Sequence, residues 1–151
     1  MKKILTLCVI QKDEQVLLGL KKRGFGAGRW NGFGGKVHGG ETIEEAAKRE
    51  LREEANIDVK NMEKVGILIF DYKNSYKVIH EVHIFRCGEI IGDPKESEEM
   101  KPQWFAVSQI PFDKMWPDDK YWFPLFLAGR KFTGKFLFGE NDVVLEHNLE
   151  A

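Results

Sequence analysis

Between Gly35 and Ile57 a glycine-rich approach gives way to a charge-dense stretch that no Gly or Pro interrupts from Thr42 to Asn56. This composition predicts a helix over about 42–56. Thr42 is placed as N-cap, with Glu45 three residues on completing a capping box. Asn56 is placed to close the helix, because Asn tolerates the left-handed conformation in which many helices end. At about 100° per residue, Ile43, Ala47 and Leu51 form one apolar stripe, and Glu50, Glu53 and Glu54 crowd together at its border. That position predicts carboxylates at the edge of the buried face, not out in water. Three such groups repel unless protons or a cation intervene, and oxygen clusters of this kind bind hard divalent cations. Arg49, four residues before Glu53, is a source of counter-charge. The alternative is a solvated glutamate-rich face with i,i+4 partners.

The 151-residue chain has a formal charge of −1 and pI near 6.4, enough length for one domain over 1–151 with a sizeable core. That charge argues against a general nucleic-acid binder, which would carry a basic face. Cys8 and Cys87 lie in apolar runs and fit no C-x-x-C spacing, so they are expected as reduced core residues of a cytoplasmic protein. The apolar run behind Lys2-Lys3 ends in Gln11-Lys12-Asp13-Glu14 without a small-residue cleavage site and reads as a strand, not a signal peptide. No run reaches the roughly 20 apolar residues of a membrane helix.

Strands are expected at 3–10 and 16–22, joined as a hairpin, at 33–37, at 64–72 and 78–87 around a turn over 73–76, and at 103–107. A closing hairpin is expected from 132–138 and 142–147. Gly24, Gly26, Gly28, Gly32, Gly34 and Gly35 punctuate a loop that suits close backbone approach to a ligand. Its spacing matches neither a Walker loop nor G-x-G-x-x-G. Pro117-Asp118-Asp119 is expected to open a second helix with Pro at its first position, running to about Ala128 with a kink at Pro124. The whole reads as an α/β fold of the α+β kind: an α/β/α sandwich, a mixed sheet with two main helices. Aromatic side chains near the acidic helix (Phe25, Trp30, Phe70, Tyr72, Trp116, Trp122, Phe138) are core candidates. One or two, Trp116 first, are candidates for stacking a flat base. Asp118 and Asp119 read either as a cap and first-turn acid or as a proton-sharing pair that both donates and accepts hydrogen bonds to a purine. Asn31 reads as a turn residue or as their complement.

The spacing Gly35, five residues, Glu41, seven residues, Arg49-Glu50-Leu51, one residue, Glu53-Glu54, one residue, Asn56-Ile57 resembles the signature of the Nudix family. Asn56 stands where that pattern has Gly. The runs 21–37, 115–119 and 121–124 resemble its MutT-homologue branch, which hydrolyses oxidised purine nucleoside triphosphates such as 8-oxo-dGTP and 2-hydroxy-dATP to the monophosphate and pyrophosphate. Segments 73–82 and 139–151 match less clearly, and Tyr72 stands where that branch has Phe. The resemblance implies a metal site at Glu50, Glu53 and Glu54 with backbone near Gly35 or Lys36, and with Glu99 close by; Mg²⁺ is the implied cation and Mn²⁺ the alternative. It implies base contacts from Asn31, Asp118 and Asp119 and a pocket lined by Thr6, Lys21, Phe25, Phe70, Met100 and Trp116. Glu53, or else Glu99, would take the proton of a metal-bound water. Lys36 reads either as a phosphate contact or as solvated surface. It also implies a cytoplasmic monomer serving the nucleotide pool (mitochondrial or nuclear pools being alternatives), with a small purine nucleotide as its partner and neither nucleic acid nor membrane. Within the family the rivals are dinucleoside polyphosphates, nucleotide sugars and methylated purine nucleotides. Outside enzymes, the rival is a nucleotide sensor without turnover, which predicts broken metal ligands.

Overall fold

The computed structural model describes residues 2–73 and 78–151. The elements are β1 (Lys2–Lys12), β2 (Gln15–Lys21), β3 (Trp30–Asn31), α1 (Ile43–Ala55), β4 (Asp58–Tyr72), β5 (Ile79–Ile91), β6 (Met100–Ala106), α2 (Asp119–Leu127), β7 (Phe132–Phe138) and β8 (Val144–Glu150). The sheet is mixed, in the order β3-β2-β1-β5-β4-β7-β8, with β6 also on β2. β1 with β5 and β4 with β7 are the parallel pairs, and the remaining pairs are antiparallel.

Side-chain alternation sorts this sheet onto two cores. Val9, Val16, Leu18 and Ile84 pack with Trp122, Phe123 and Phe126 of α2. Cys8, Ile10, Leu17, Phe85 and Cys87 face Ala47, Leu51 and Ala55 of α1. Two helices thus cover opposite faces, as the sandwich requires, and both cysteines are buried and unbridged. Fully buried Leu51 contributes about 1.5–3 kcal/mol of apolar burial.

Helix α1 has the expected caps. Thr42 Oγ1 accepts from Glu45 N–H and Thr42 N–H donates to the Glu45 carboxylate, while Asn56 closes the helix at φ 60°. The second helix departs from expectation. Asp119, not Pro117, is its first residue, and Asp118 is an N-cap without a side-chain capping bond. The helix continues through Pro124 to Leu127.

Several strands run longer than local composition suggests, because a paired neighbour satisfies polar residues that do not advertise a strand. β4 begins at Asp58 and β5 extends to Ile91 through their mutual pairing. β6 begins at Met100 along β2, whereas the last strand starts only at Val144. The expected strand at 33–37 is replaced by β3 and by isolated bridges Cys8↔Phe33 and Leu5↔Lys36. At Gly34 the two backbones approach so closely that a Cβ would lie 1.8 Å from the Thr6 carbonyl oxygen. The turn expected at 73–76 lies mostly outside the described residues. Among the described residues no helix is long and apolar enough to cross a membrane.

Candidate active site

Thr6 N–H donates to the Gly35 carbonyl at 2.9 Å, which anchors the glycine segment beside β1 and under α1. From α1, Glu54 reaches back to it: its Oε1 accepts from Gly34 N–H at 2.9 Å. Glu54 is buried, at 5 % exposure. Burial first, and then the neighbouring Glu50 charge, push its carboxyl up to about 8. Gly35 faces Glu50 so closely that a Cβ would lie 2.7 Å from a carboxylate oxygen.

Arg49 organises the rest. Its guanidinium donates to Glu41 Oε2 at 2.6 Å, to Glu50 Oε1 at 2.9 Å, to Glu53 Oε2 at 3.2 Å and to the Lys36 carbonyl at 3.0 Å. The bond from Arg49 to Glu41 holds that carboxyl down at about 2. Glu50 is largely covered, but the Glu53 side chain is 58 % exposed. The expectation of three edge-buried carboxylates therefore holds for two. Successive side chains on a helix point about 100° apart, so with Glu54 turned in beside buried Leu51 and Ala55, Glu53 falls on the outer side of α1. Glu99 is on the loop before β6, where Arg23 Nε donates to it at 2.8 Å and Lys21 Nζ lies 3.6 Å away. Arg23 first, and Lys21 after it, lower the Glu99 pKa. Among the described residues no three acidic, His or Cys side chains already converge on a cation position, since Arg49 engages Glu50 and Glu53. The donor chemistry nevertheless fits a hard divalent cation: a buried carboxyl beside a second carboxylate, all ligating atoms oxygen, and a missing Cβ where the backbone meets Glu50.

Next to this group lies a cavity of about 270 Å³. All nine residues expected in a substrate pocket (Thr6, Lys21, Phe25, Asn31, Phe70, Met100, Trp116, Asp118 and Asp119) line it, together with Gly35 and Glu54. Glu50, Glu53, Lys36 and Glu99 are not among its lining residues. The parallel pairing that aligns the starts of β1 and β5, and the antiparallel return of β4, put Leu5, Val82 and Phe70 on one wall. Phe25 and Trp116 are in ring contact at 5.0 Å.

Asp118 and Asp119 are 4 % and 6 % exposed; Asp118 stands at the N-cap without a side-chain capping bond, and Asp119 is the acid of the first turn. Trp122 Nε1–H donates to Asp118 Oδ2 at 2.8 Å. Burial raises both carboxyls, and Asp119 rises furthest because the Asp118 charge adds to the effect. Asp119 therefore holds a proton more tightly than Asp118, an arrangement suited to offering a donor and an acceptor together.

The NUDIX domain pattern matches residues 1–126 of this chain. The chain belongs to the Nudix family. It is 53 % identical over 147 residues to the oxidized purine nucleoside triphosphate hydrolase of Mus musculus, covering 97 % of this chain and 94 % of that protein. To the protein of the same name from Danio rerio it is 51 % identical over 148 residues, covering 98 % and 94 %. Among solved structures, the Mutator MutT protein from Bacillus halodurans superposes with a TM-score of 0.87 at 32 % identity, covering 98 % of this chain and 97 % of that one. Nudix hydrolases work with a divalent cation, in keeping with the acidic helix.

The Nudix site also contains residues that the sequence reading did not single out. His80 lines the cavity with its Nδ1 3.0 Å from Tyr72 Oη, and burial pushes the Tyr72 hydroxyl up to about 12. Period-two alternation from Val82 was the available signal for His80. Trp122, expected only as an aromatic neighbour, carries the polar contact to Asp118. Trp30 instead meets Phe105 edge-on at 4.8 Å and is absent from the cavity lining.

Proposed function

We infer that this Nudix protein hydrolyses oxidised purine nucleoside triphosphates, 8-oxo-dGTP and 2-hydroxy-dATP among them, to the nucleoside monophosphate and pyrophosphate. The observation that carries this reading is the adjacency of a buried, proton-sharing aspartate pair and an acidic helix around one cavity. The names of the mouse and zebrafish relatives support it.

The aspartates read the base. One donor and one acceptor from Asp118 and Asp119, complemented by the Asn31 amide, match the mixed edge of an oxidised purine. Trp116 and Phe25 supply flat apolar surface for stacking, worth about 1–3 kcal/mol per base. A base so placed directs its phosphates towards Lys21 and the Glu54 end of the cavity.

Glu50, Glu53, Glu54 and the backbone at Gly35 or Lys36 would hold Mg²⁺. When bound, the cation neutralises phosphate charge and lowers the pKa of a coordinated water. Glu54, largely protonated near neutrality without a cation, gives up its proton on ligation. Glu53 is the base that accepts the proton of the attacking water. Its side chain is more exposed than those of Glu50 and Glu54, whereas Glu99 is engaged by Arg23, which lowers its proton affinity. Water oxygen bonds to phosphorus as a P–O bond breaks, and pyrophosphate leaves with its electron pair. Arg49 orients Glu50 and Glu53 and ties them to Glu41.

Product analysis tests this directly. Mg²⁺ with 8-oxo-dGTP is expected to yield monophosphate and pyrophosphate in equal amounts, with turnover falling by about 10²–10⁴-fold in Glu53→Gln. Release of diphosphate and inorganic phosphate, or full activity in Glu53→Gln, would refute the assignment. The intact set of Arg49 and three glutamates argues against a sensor without turnover.

A further inference from the structure

Arg29 sits in the glycine-rich loop, outside both the acidic helix and the aspartate pair, yet three elements converge on it. Its guanidinium carbon lies 4.1 Å from the Trp116 ring centroid. Its Nη1 donates to Asp142 Oδ2 at 2.9 Å, and the two side chains are 28 % and 30 % exposed. Its carbonyl accepts from Lys21 N–H at 2.9 Å, and its N–H donates to the Gly26 carbonyl.

Trp116 is therefore held from several sides: Arg29 on the ring, Phe25 at 5.0 Å and Phe138 at 6.3 Å. A Cβ on Gly26 would lie 3.0 Å from the indole. Asp142 follows Asn141 in a tight turn between β7 and β8, and both are left-handed, at φ 59° and 56°. Non-glycine residues enter that conformation reluctantly, Asn and Asp more readily than most. Here it turns Asp142 towards the loop, so the closing hairpin is fastened to the cavity mouth by one ion pair.

We propose that Arg29, locked by Asp142, is a positioning residue that fixes the Trp116 indole as a wall of the substrate cavity and thereby sets affinity for the purine. The proposal rests on the base-reading role given to the cavity above. The planar guanidinium stacks on the indole while its edge engages the carboxylate, a combination the ammonium of lysine does not reproduce. Arg29 stands apart from the glutamates of α1, so its effect falls on substrate binding and not on the chemical step.

The test replaces Arg29 by Met and by Lys, and Asp142 by Asn, which tolerates the same backbone. Each change is made in the parent and in Trp116→Ala, with 5-fluorotryptophan ¹⁹F spectra and steady-state kinetics on 8-oxo-dGTP. Arg29→Met is expected to shift or broaden the Trp116 resonance, leave that of buried Trp122 in place, and raise KM about three- to tenfold with kcat within about twofold. Asp142→Asn is expected to move both readouts in the same direction, and Arg29→Lys to restore little. In Trp116→Ala the same changes are expected to add nothing, because the residue they act through is gone.

An unmoved Trp116 resonance overturns the clamp, whatever the substrate. A moved resonance with unchanged KM, where Trp116→Ala itself raises KM, overturns its role in affinity, as does a full additional loss in the Trp116→Ala background. If Trp116→Ala leaves KM unchanged, the role in affinity falls together with the base-reading assignment of this cavity, and the resonance separately decides whether the clamp exists.

Discussion

The indole N–H of Trp122 donates to Asp118 over 2.8 Å, one helical turn along and buried from solvent. This bond takes Asp118 away from the capping role that its place before α2 would ordinarily give it, and keeps it the more acidic member of the pair with Asp119. Trp122→Phe keeps one aromatic ring in the core but removes the donor together with the pyrrole part of a fully buried indole. A buried acceptor losing a charged hydrogen bond costs about 1.5–3 kcal/mol and the lost ring volume adds to it, so denaturant unfolding should show a loss of about 2 kcal/mol or more with an unchanged m-value. A loss below about 0.5 kcal/mol would mean the bond does not hold Asp118.

Glu54 links stability to pH and to metal. Its folded pKa of about 8 lies above the unfolded value of about 4.3, so between these limits the native state binds the extra proton. This contribution is fully present below the unfolded pKa and is lost as pH rises through about 8. Without a divalent cation, stability should fall across this window by up to about 1.4 kcal/mol per pH unit from this one group. Glu54→Gln, which keeps an oxygen for the Gly34 N–H, should remove one proton's worth of that slope, and saturating Mg²⁺, which would hold Glu54 ionised in the native state, should abolish it as well. Thermal melts from pH 5 to 9 with EDTA and with Mg²⁺ measure all three, and an unchanged slope in Glu54→Gln would reject the placement of that proton.

Two adjacent glycines should fail differently. Gly34→Ala puts a methyl 1.8 Å from the backbone oxygen of Thr6. The contact is backbone against backbone and neither segment can yield, so a loss of about 3 kcal/mol or more is expected. Gly35→Ala meets only the movable carboxylate end of Glu50, at 2.7 Å. That protein should melt near the parent temperature but require about tenfold or more Mg²⁺ for half-maximal activity. Equal melting temperatures for both variants would contradict the close approach at Gly34.

Helix α1 could be read from sequence because its signals are local: Thr42 and Glu45 cap one end, Asn56 the other, and the apolar stripe has helical spacing. The bond from Glu54 to Gly34, twenty residues away, has no local signature. Whether each glutamate is buried or exposed depends on which side of α1 meets the glycine segment, which explains why Glu53 points outward against expectation. The nine expected pocket residues come from β1, β2, β3, β4, β6, the loop at Phe25 and the segment 116–119 that leads into α2, and motif resemblance could gather them where periodicity could not. The ring of His80 beside Tyr72, and the reach of Asp142 to Arg29 across 113 positions, depend on strand register and on one turn, which a single sequence does not expose.

The most direct measurement is kcat/KM for 8-oxo-dGTP, 2-hydroxy-dATP and unmodified dGTP, with Mg²⁺, in the parent and in Asp119→Ala. The parent should prefer both oxidised substrates over dGTP by about tenfold or more. Asp119→Ala should lose about 10- to 100-fold on the oxidised substrates, as expected when a buried base partner is left without its hydrogen bond, and less on dGTP. Equal turnover of all three by the parent, or an Asp119→Ala protein that keeps the parent's preference, would contradict base reading by the aspartate pair.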